Sequence, residues 1–202
     1  GPGMPTKQRT IKSFGYLEDQ EDPEAFMAMV EEFNANFKED APLRIEVASN
    51  MQMYCKENRR QNYGYKFLES VYDLLEINFV LRGEIEVVRN NRAFTVGPGE
   101  LIVLNRDDVH SINSNSDDLL YVQLHFEMQQ YNQYIPEIWT VLFYCSPEDD
   151  DPISRNLKAE IKSHIANIIQ LMSERSFNID AEKKINYFCI DVLSSLKLGF
   201  VA

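Results

Sequence analysis

The chain has 202 residues, of which 44% are hydrophobic and 26% charged, and its formal net charge is −12. This length suits one domain with a hydrophobic core, and the apolar runs are far shorter than the ~20 residues that span a membrane. The negative charge disfavours contact with nucleic acid phosphates, and no basic run offsets it. The three scattered cysteines, Cys55, Cys145 and Cys189, are typical of reduced thiols. We therefore expect a cytoplasmic domain with no membrane contact.

The first 42 residues are predicted to lie outside the main domain. Residues 1–3 are typical of a cleaved tag, and Met4 is the expected native start. Residues 4–42 form an N-terminal extension with an amphipathic helix that begins at Asp22–Pro23, where Asp caps the helix and Pro takes its first position. The apolar stripe of this helix fits either packing onto the domain or contact with a partner chain. Its members are Phe26, Met29, Val30, Phe33 and Phe37.

Residues 43–145 carry the alternation and the turn residues of short β-strands. We predict one or two strands within 43–56, and further strands at 74–82, 84–89, 92–96, 100–104, 119–127 and 138–145. Gly83, Asn90–Asn91 and 97–99 supply the turns. Short strands at this spacing indicate an antiparallel β-barrel or jelly roll. The fold class is therefore α+β, mainly β.

Residues 152–202 switch to helical periodicity and predict an antiparallel two-helix hairpin. A break over 173–178 separates a first helix from about Pro152 and a second helix from Asp180. The first helix has a broad apolar ridge that one neighbour is not expected to cover, so we predict that it forms a homodimer interface. The alternative is that the barrel covers it. The ridge comprises Leu157, Ile161, Ile165, Ile168, Ile169 and Met172.

Two of the predicted strands have one polar and one apolar face. Alternation places Glu76 and Asn78 on one face of 74–82, and Tyr121, Gln123 and His125 on one face of 119–127. If these faces point inward, the barrel offers polar groups for a sugar or another small polar ligand. The alternative is that they face solvent. His110, which precedes the last of these strands, is assigned either to the ligand or to a structural hydrogen bond.

The segments 76–83 and 99–105, followed by His110 and the helical hairpin, resemble the cupin-like effector-binding domain of AraC-type bacterial transcription regulators. Three positions depart from the family pattern: Glu100 replaces Asp, and Arg106 and Val109 replace Pro. The resemblance implies a ligand-sensing domain that dimerises through the hairpin. It also implies a helix-turn-helix region after the hairpin. Because no basic pair of helices is present, we expect contact with DNA only through a missing C-terminal domain.

The residue types needed for catalysis are sparse. The three histidines, His110, His125 and His164, lack the His-x-His spacing of metal-binding cupins, and no nucleophile elbow or phosphate loop is present. We therefore predict no enzyme activity, no metal and no cofactor. Two alternatives remain: a cupin-fold metal-dependent enzyme or isomerase, and a structural dimerisation domain without a ligand. Metal analysis of the purified protein would distinguish the enzyme from a sensor. The presence of a cavity between the sheets would distinguish a sensor from the ligand-free structural domain.

Overall fold

The computed structural model describes residues 43–49, 74–173 and 179–202. The predicted tag remnant, the 4–42 extension with its helix, and any strand within 50–56 lie outside these residues. The strands described are β1 (Leu43–Ser49), β2 (Leu74–Arg82), β3 (Ile85–Arg89), β4 (Arg92–Val96), β5 (Leu101–Leu104), β6 (His110–Asn113) and β7 (Leu120–Glu127). Two helices follow, α1 (Pro152–Ser173) and α2 (Ile179–Gly199). Among these residues, neither helix is long and apolar enough to cross a membrane.

The strands form two antiparallel sheets. The larger sheet has the order β1-β7-β2-β5, and the smaller sheet has the order β4-β3-β6. Alternation and turn residues explain the local pairing: Asn90 and Asn91 have positive φ values of 49° and 68°, which suit the tight β3–β4 turn. The predicted antiparallel strands from 74 to 104 and near 119–127 are therefore confirmed. Closure of the two sheets into a barrel stays a prediction.

Two strand assignments are corrected by the structure. β6 was not predicted, because its sequence His-Ser-Ile-Asn holds one apolar residue and resembles a polar loop. The predicted strand at 138–145 is wrong: Ile138–Thr140 is a short 3-10 helix, and only Phe143 forms a β-bridge, with Val201. A backbone hydrogen bond from Val141 N to the carbonyl of Ile138 closes that helical turn. An apolar run alone does not distinguish the two structures.

The two faces of the larger sheet contribute to two hydrophobic cores. One face of β2 and β7, which includes Ile77, Phe79 and Leu124, packs with α1 and α2. At one end of the opposite face, Val80 and Tyr121 pack with side chains of the smaller sheet. The helices thus cover the apolar face of the larger sheet, and its other face lies between the sheets.

The helices form the predicted antiparallel hairpin. Leu157, near the start of α1, lies against Gly199 at the end of α2, and the ring of His164 lies 5.9 Å from that of Phe188 near the middle. Five residues of the predicted dimer ridge are buried within the chain's own core. The ridge therefore has no surplus apolar surface at these five positions that a second subunit would need to cover. A dimer through the ridge stays a prediction. These five are Leu157, Ile161, Ile165, Ile168 and Ile169, and the side chain of Met172 lies outside the described part.

The segment after the short helix is held against β5 by one side chain. The Asn105 amide donates to the carbonyl of Phe143 at 2.8 Å, and Phe143 N donates to Asn105 Oδ1 at 2.8 Å. Cys145 extends this pairing, because its carbonyl accepts from Val103 N. Tyr144 N in turn donates to the carbonyl of Phe200, which ties the end of the hairpin to the larger sheet.

The turn between β2 and β3 depends on a glycine. Gly83 has a φ of +73°, and an added Cβ would lie 2.9 Å from the Cβ of Ser116 and 3.0 Å from the Cα of Leu119. Both the backbone conformation and the close approach of the 116–119 segment therefore favour glycine at this position.

Candidate functional site

A row of buried polar side chains lies on the inner face of the larger sheet. Glu76 stands opposite His125 in the β2–β7 ladder, and Asn78 stands opposite Gln123. All four are buried, with exposed fractions between 0% for Asn78 and 6% for Glu76 and Gln123. Because side chains alternate along a strand, they share the face that carries Val80 and Tyr121 into the inter-sheet core. The polar faces of β2 and β7 therefore point inward rather than to solvent.

Glu76 and Asn78 form the centre of this row. Asn78 Nδ2 donates to Glu76 Oε2 at 2.8 Å. The carbonyl oxygen of the same amide, Oδ1, is buried and accepts no hydrogen bond from the residues that the structure describes. A buried amide oxygen without a donor costs free energy, so it marks a position where a ligand donor would be favourable.

Two imidazoles flank the Glu76 carboxylate. His125 Nδ1 lies 3.7 Å from Glu76 Oε1, and His110 Nε2 lies 3.9 Å from Glu76 Oε2. Both distances exceed that of a hydrogen bond. The His110 side chain is 30% exposed, whereas that of His125 is 2% exposed, so His110 lies at the rim of the row. His110 Nδ1 also lies 3.3 Å from the carbonyl of Asp108. His110 thus has the structural contact considered from the sequence and also approaches the Glu76 carboxylate.

The structure brings four of the six predicted ligand-binding residues into one cluster: Glu76, Asn78, His110 and His125. We call these four residues the polar cluster. Gln123 is adjacent to it in the ladder, opposite Asn78. Tyr121 lies opposite Val80, within the apolar inter-sheet core. Ligand contact by any of the six stays a prediction.

Arg89 is a neighbour of this region that sequence reasoning missed. It stands opposite His110 in the β3–β6 ladder and is buried. Its guanidinium donates to the carbonyl of Val103 at 3.0 Å and stacks over the rings of Phe94, at 4.9 Å, and Tyr144, at 5.3 Å. Alternation within the predicted strand 84–89 places Arg89 on the same face as two apolar residues, so its burial could have been predicted from the sequence. Its partner strand β6 was not predicted.

β1 is the edge strand that pairs with β7 in the larger sheet. Its register places Arg44 opposite His125 and Glu46 opposite Gln123. By register, these two positions of β1 continue the pairs Glu76–His125 and Asn78–Gln123 across the sheet.

The described side chains of the polar cluster offer hydrogen-bonding groups. No group of three or more His, Cys, Asp or Glu side chains in the described ranges could hold a metal ion. Burial raises the pKa of each of the two described cysteines, Cys145 and Cys189, to about 12. Since the thiolate is the nucleophilic form, neither side chain is an activated nucleophile.

Three of the solved structures that this chain resembles have between 11% and 17% sequence identity to it. A cupin domain of Cnp3 from Schizosaccharomyces pombe has 15% identity and a TM-score of 0.33, over 48% of this chain and 61% of that chain. The EutQ protein of Clostridium difficile has 17% identity and a TM-score of 0.25, over 31% and 45%. The AraC-like transcriptional activator CuxR has 11% identity and a TM-score of 0.43, over 76% and 49%. The chain thus spans less than two thirds of each neighbour.

Comparison with curated proteins finds no match. The model of the family described as "AraC-like ligand binding domain" matches residues 50–188, which is well over half of the chain. This match includes β2 to β7, α1 and the first half of α2. It agrees with the resemblance carried by 76–83, 99–105 and His110. The chain belongs to the AraC-like ligand binding domain family.

Proposed function

We propose that this chain is the effector-sensing module of an AraC-type transcription regulator and binds a small polar metabolite, such as a sugar, between its sheets. The module works without catalysis, in the cytoplasm. DNA is contacted by a separate region of the regulator. Membership of the family supports the sensing role, and the polar cluster supports a polar effector.

The observation that carries the proposal is the buried Glu76–Asn78 pair. A domain that only held its shape would gain stability from apolar side chains at these positions, because burying a carboxylate and an amide costs free energy. Here the amide oxygen of Asn78 is fully covered and has no donor among the described residues. A polar ligand would supply the missing donor, which favours a sensor over a ligand-free structural domain.

A thermal-shift screen of the whole chain against sugars, polyols and other polar metabolites tests the proposal. A ligand that binds only the folded state stabilises it by about 2.7 kcal/mol when present at 100 times its Kd. For a domain of this size, that corresponds to a rise in Tm of roughly 5–10 °C. Stoichiometric metal in the purified protein would instead favour the enzyme alternative.

Two matched variants locate the binding site. Glu76→Gln keeps the size of the buried side chain and removes its charge, whereas Glu86→Gln makes the same change at an exposed position of β3. We expect Glu76→Gln to reduce the ligand-induced shift and Glu86→Gln to leave it unchanged. A ligand whose shift is the same in both variants would place binding elsewhere and contradict the proposal.

We also propose that the module is a homodimer, as the resemblance implies. The outer face of α2 offers two exposed apolar side chains, Tyr187 and Leu198, which are 65% and 79% exposed. They are separated by three helical turns and so lie on one face. Replacing both by Glu should give folded monomers, while Ile165→Asp, in the core, should unfold the chain. Sedimentation of the unmodified protein as a monomer at high micromolar concentration would contradict the dimer.

A further inference from the structure

The hydrogen bond that joins Glu76 and Asn78 leaves an acceptor atom available in this pair. A carboxylate only accepts hydrogen bonds, so the contact with Glu76 requires the nitrogen of the Asn78 amide to face it. The flipped amide would bring two oxygen atoms within 2.8 Å of each other. This orientation fixes Asn78 Oδ1 as the atom without a partner among the described residues, and that atom is an acceptor.

His110 adds a third acceptor at the rim. Its Nδ1 faces the carbonyl of Asp108 at 3.3 Å, and a carbonyl only accepts, so this contact favours the tautomer with the hydrogen on Nδ1. In that neutral tautomer Nε2 has a lone pair, and this atom lies 3.9 Å from Glu76 Oε2. Two acceptors at this separation leave room for a donor to bridge them.

The charge balance around Glu76 points the same way. Among the side chains that the structure describes, which do not include that of Arg44, neither Lys nor Arg forms an ion pair with this carboxylate, and the two imidazoles lie closest to it among the ionisable groups. The Arg89 guanidinium, which belongs to the same end of the sheets, is engaged with the carbonyl of Val103 and two aromatic rings. Burying a carboxylate costs free energy, and a cationic ligand would offset that cost. The net charge of −12 also attracts cations.

We infer that the effector carries a protonated primary amine, which binds among Glu76, Asn78 and His110. An ammonium group has one positive charge and three N–H donors, which match one carboxylate and two neutral acceptors. A hydroxyl offers a single donor, and a carboxylate offers none and is repelled by Glu76. This inference rests on the proposed function and narrows its ligand class to amine-bearing metabolites, amino sugars among them.

Matched compound series test the inference on the unmodified whole chain. One series comprises D-glucosamine, D-glucose, D-glucuronate and N-acetyl-D-glucosamine, the last of which keeps the ring and blocks the charge. The second series comprises putrescine, butanediol and succinate. The third comprises phenethylamine, phenethyl alcohol and phenylacetate. Each contains an amine, a neutral alcohol and a carboxylate. Calorimetric titration at neutral pH should show that the amine of at least one series binds at least tenfold more tightly than its neutral and anionic counterparts.

The Glu76→Gln and Glu86→Gln variants then assign the contact. Hydrogen bonds to a charged group are worth about 1.5–3 kcal/mol, so Glu76→Gln should weaken amine binding about 10- to 100-fold. Glu86→Gln should leave it unchanged. Amine binding that survives Glu76→Gln overturns the inference, and the selectivity of the unmodified chain decides the matter if that variant fails to fold.

The remaining outcomes separate this inference from the proposed function. If a neutral or anionic compound binds as tightly as its amine and loses affinity in Glu76→Gln, the sensor stands and the amine selectivity is overturned. If no compound of the three series binds, the amine inference is overturned, while the wider metabolite screen still decides the proposed function.

Discussion

Replacing Asn105 by alanine should remove the side chain that holds residues 142–145 against β5. Asn105 and Phe143 exchange two hydrogen bonds of 2.8 Å, and both residues are buried, with exposed fractions of 5% and 0%. The variant leaves one N–H and one C=O of Phe143 without a partner. Each such group costs about 1–3 kcal/mol, so the free energy of unfolding should fall by about 2–6 kcal/mol.

Urea unfolding followed by circular dichroism measures this loss, and the linear extrapolation gives the free energy in water. Asn113→Ala, at an exposed position of β6, is the matched control and should change the free energy by less than about 0.5 kcal/mol. Asn105→Asp adds a sharper test. Its carboxylate accepts from Phe143 N but donates nothing to the carbonyl, and it faces Asp108 Oδ2, which lies 3.3 Å from the present amide nitrogen.

Asn105→Asp should therefore be destabilised about as much as Asn105→Ala, although it keeps the size of the side chain. If Asn105→Ala differed from Asn113→Ala by less than about 0.5 kcal/mol, the two hydrogen bonds would not hold the segment, and the reasoning would be refuted.

Gly83→Ala should lower the free energy of unfolding by about 1–3 kcal/mol, because its φ of +73° is strained for alanine; an unchanged urea midpoint would contradict this. Burial raises the pKa of Cys145 and of Cys189 to about 12, against an ordinary 9.0. Their reactivity is measured in a Cys55→Ser background, which removes the third thiol of the chain. Neither thiol should react with a disulfide reagent before urea unfolds the chain, and rapid labelling of the folded protein would count against their burial. Hydrogen bonds from the first turn of α1 lower the pKa of Asp151 from its ordinary 3.8. The stabilisation from this carboxylate is complete above that value and is lost as the pH falls through the lowered pKa. Asp151→Asn, which does not titrate, should weaken this acid dependence of unfolding, and an identical profile would refute the assignment.

Much of the fold and part of the candidate site could be predicted from local patterns. Alternation and turn residues located β2 to β5 and β7, and helical periodicity located α1 and α2. The same alternation grouped Glu76 with Asn78, and Gln123 with His125, because residues two apart in a strand share a face. The order of the Gly-turned strands and the hairpin also carried the family resemblance. Each of these features depends on residues that are close together in the sequence.

Only the tertiary structure decided what each face meets. Periodicity shows that residues share a face, but the same pattern fits a face turned to solvent, to another sheet or to a second chain. The α1 ridge shows the difference: Ile161 and Ile165 were assigned to a dimer interface, and the chain's own core covers them completely. His110 joins the cluster through β6, whose four residues are too polar to read as a strand. The Asn105–Phe143 contact joins residues 38 apart, and no local propensity specifies such a pair. These features depend on how distant segments pack together, which one sequence read locally does not encode.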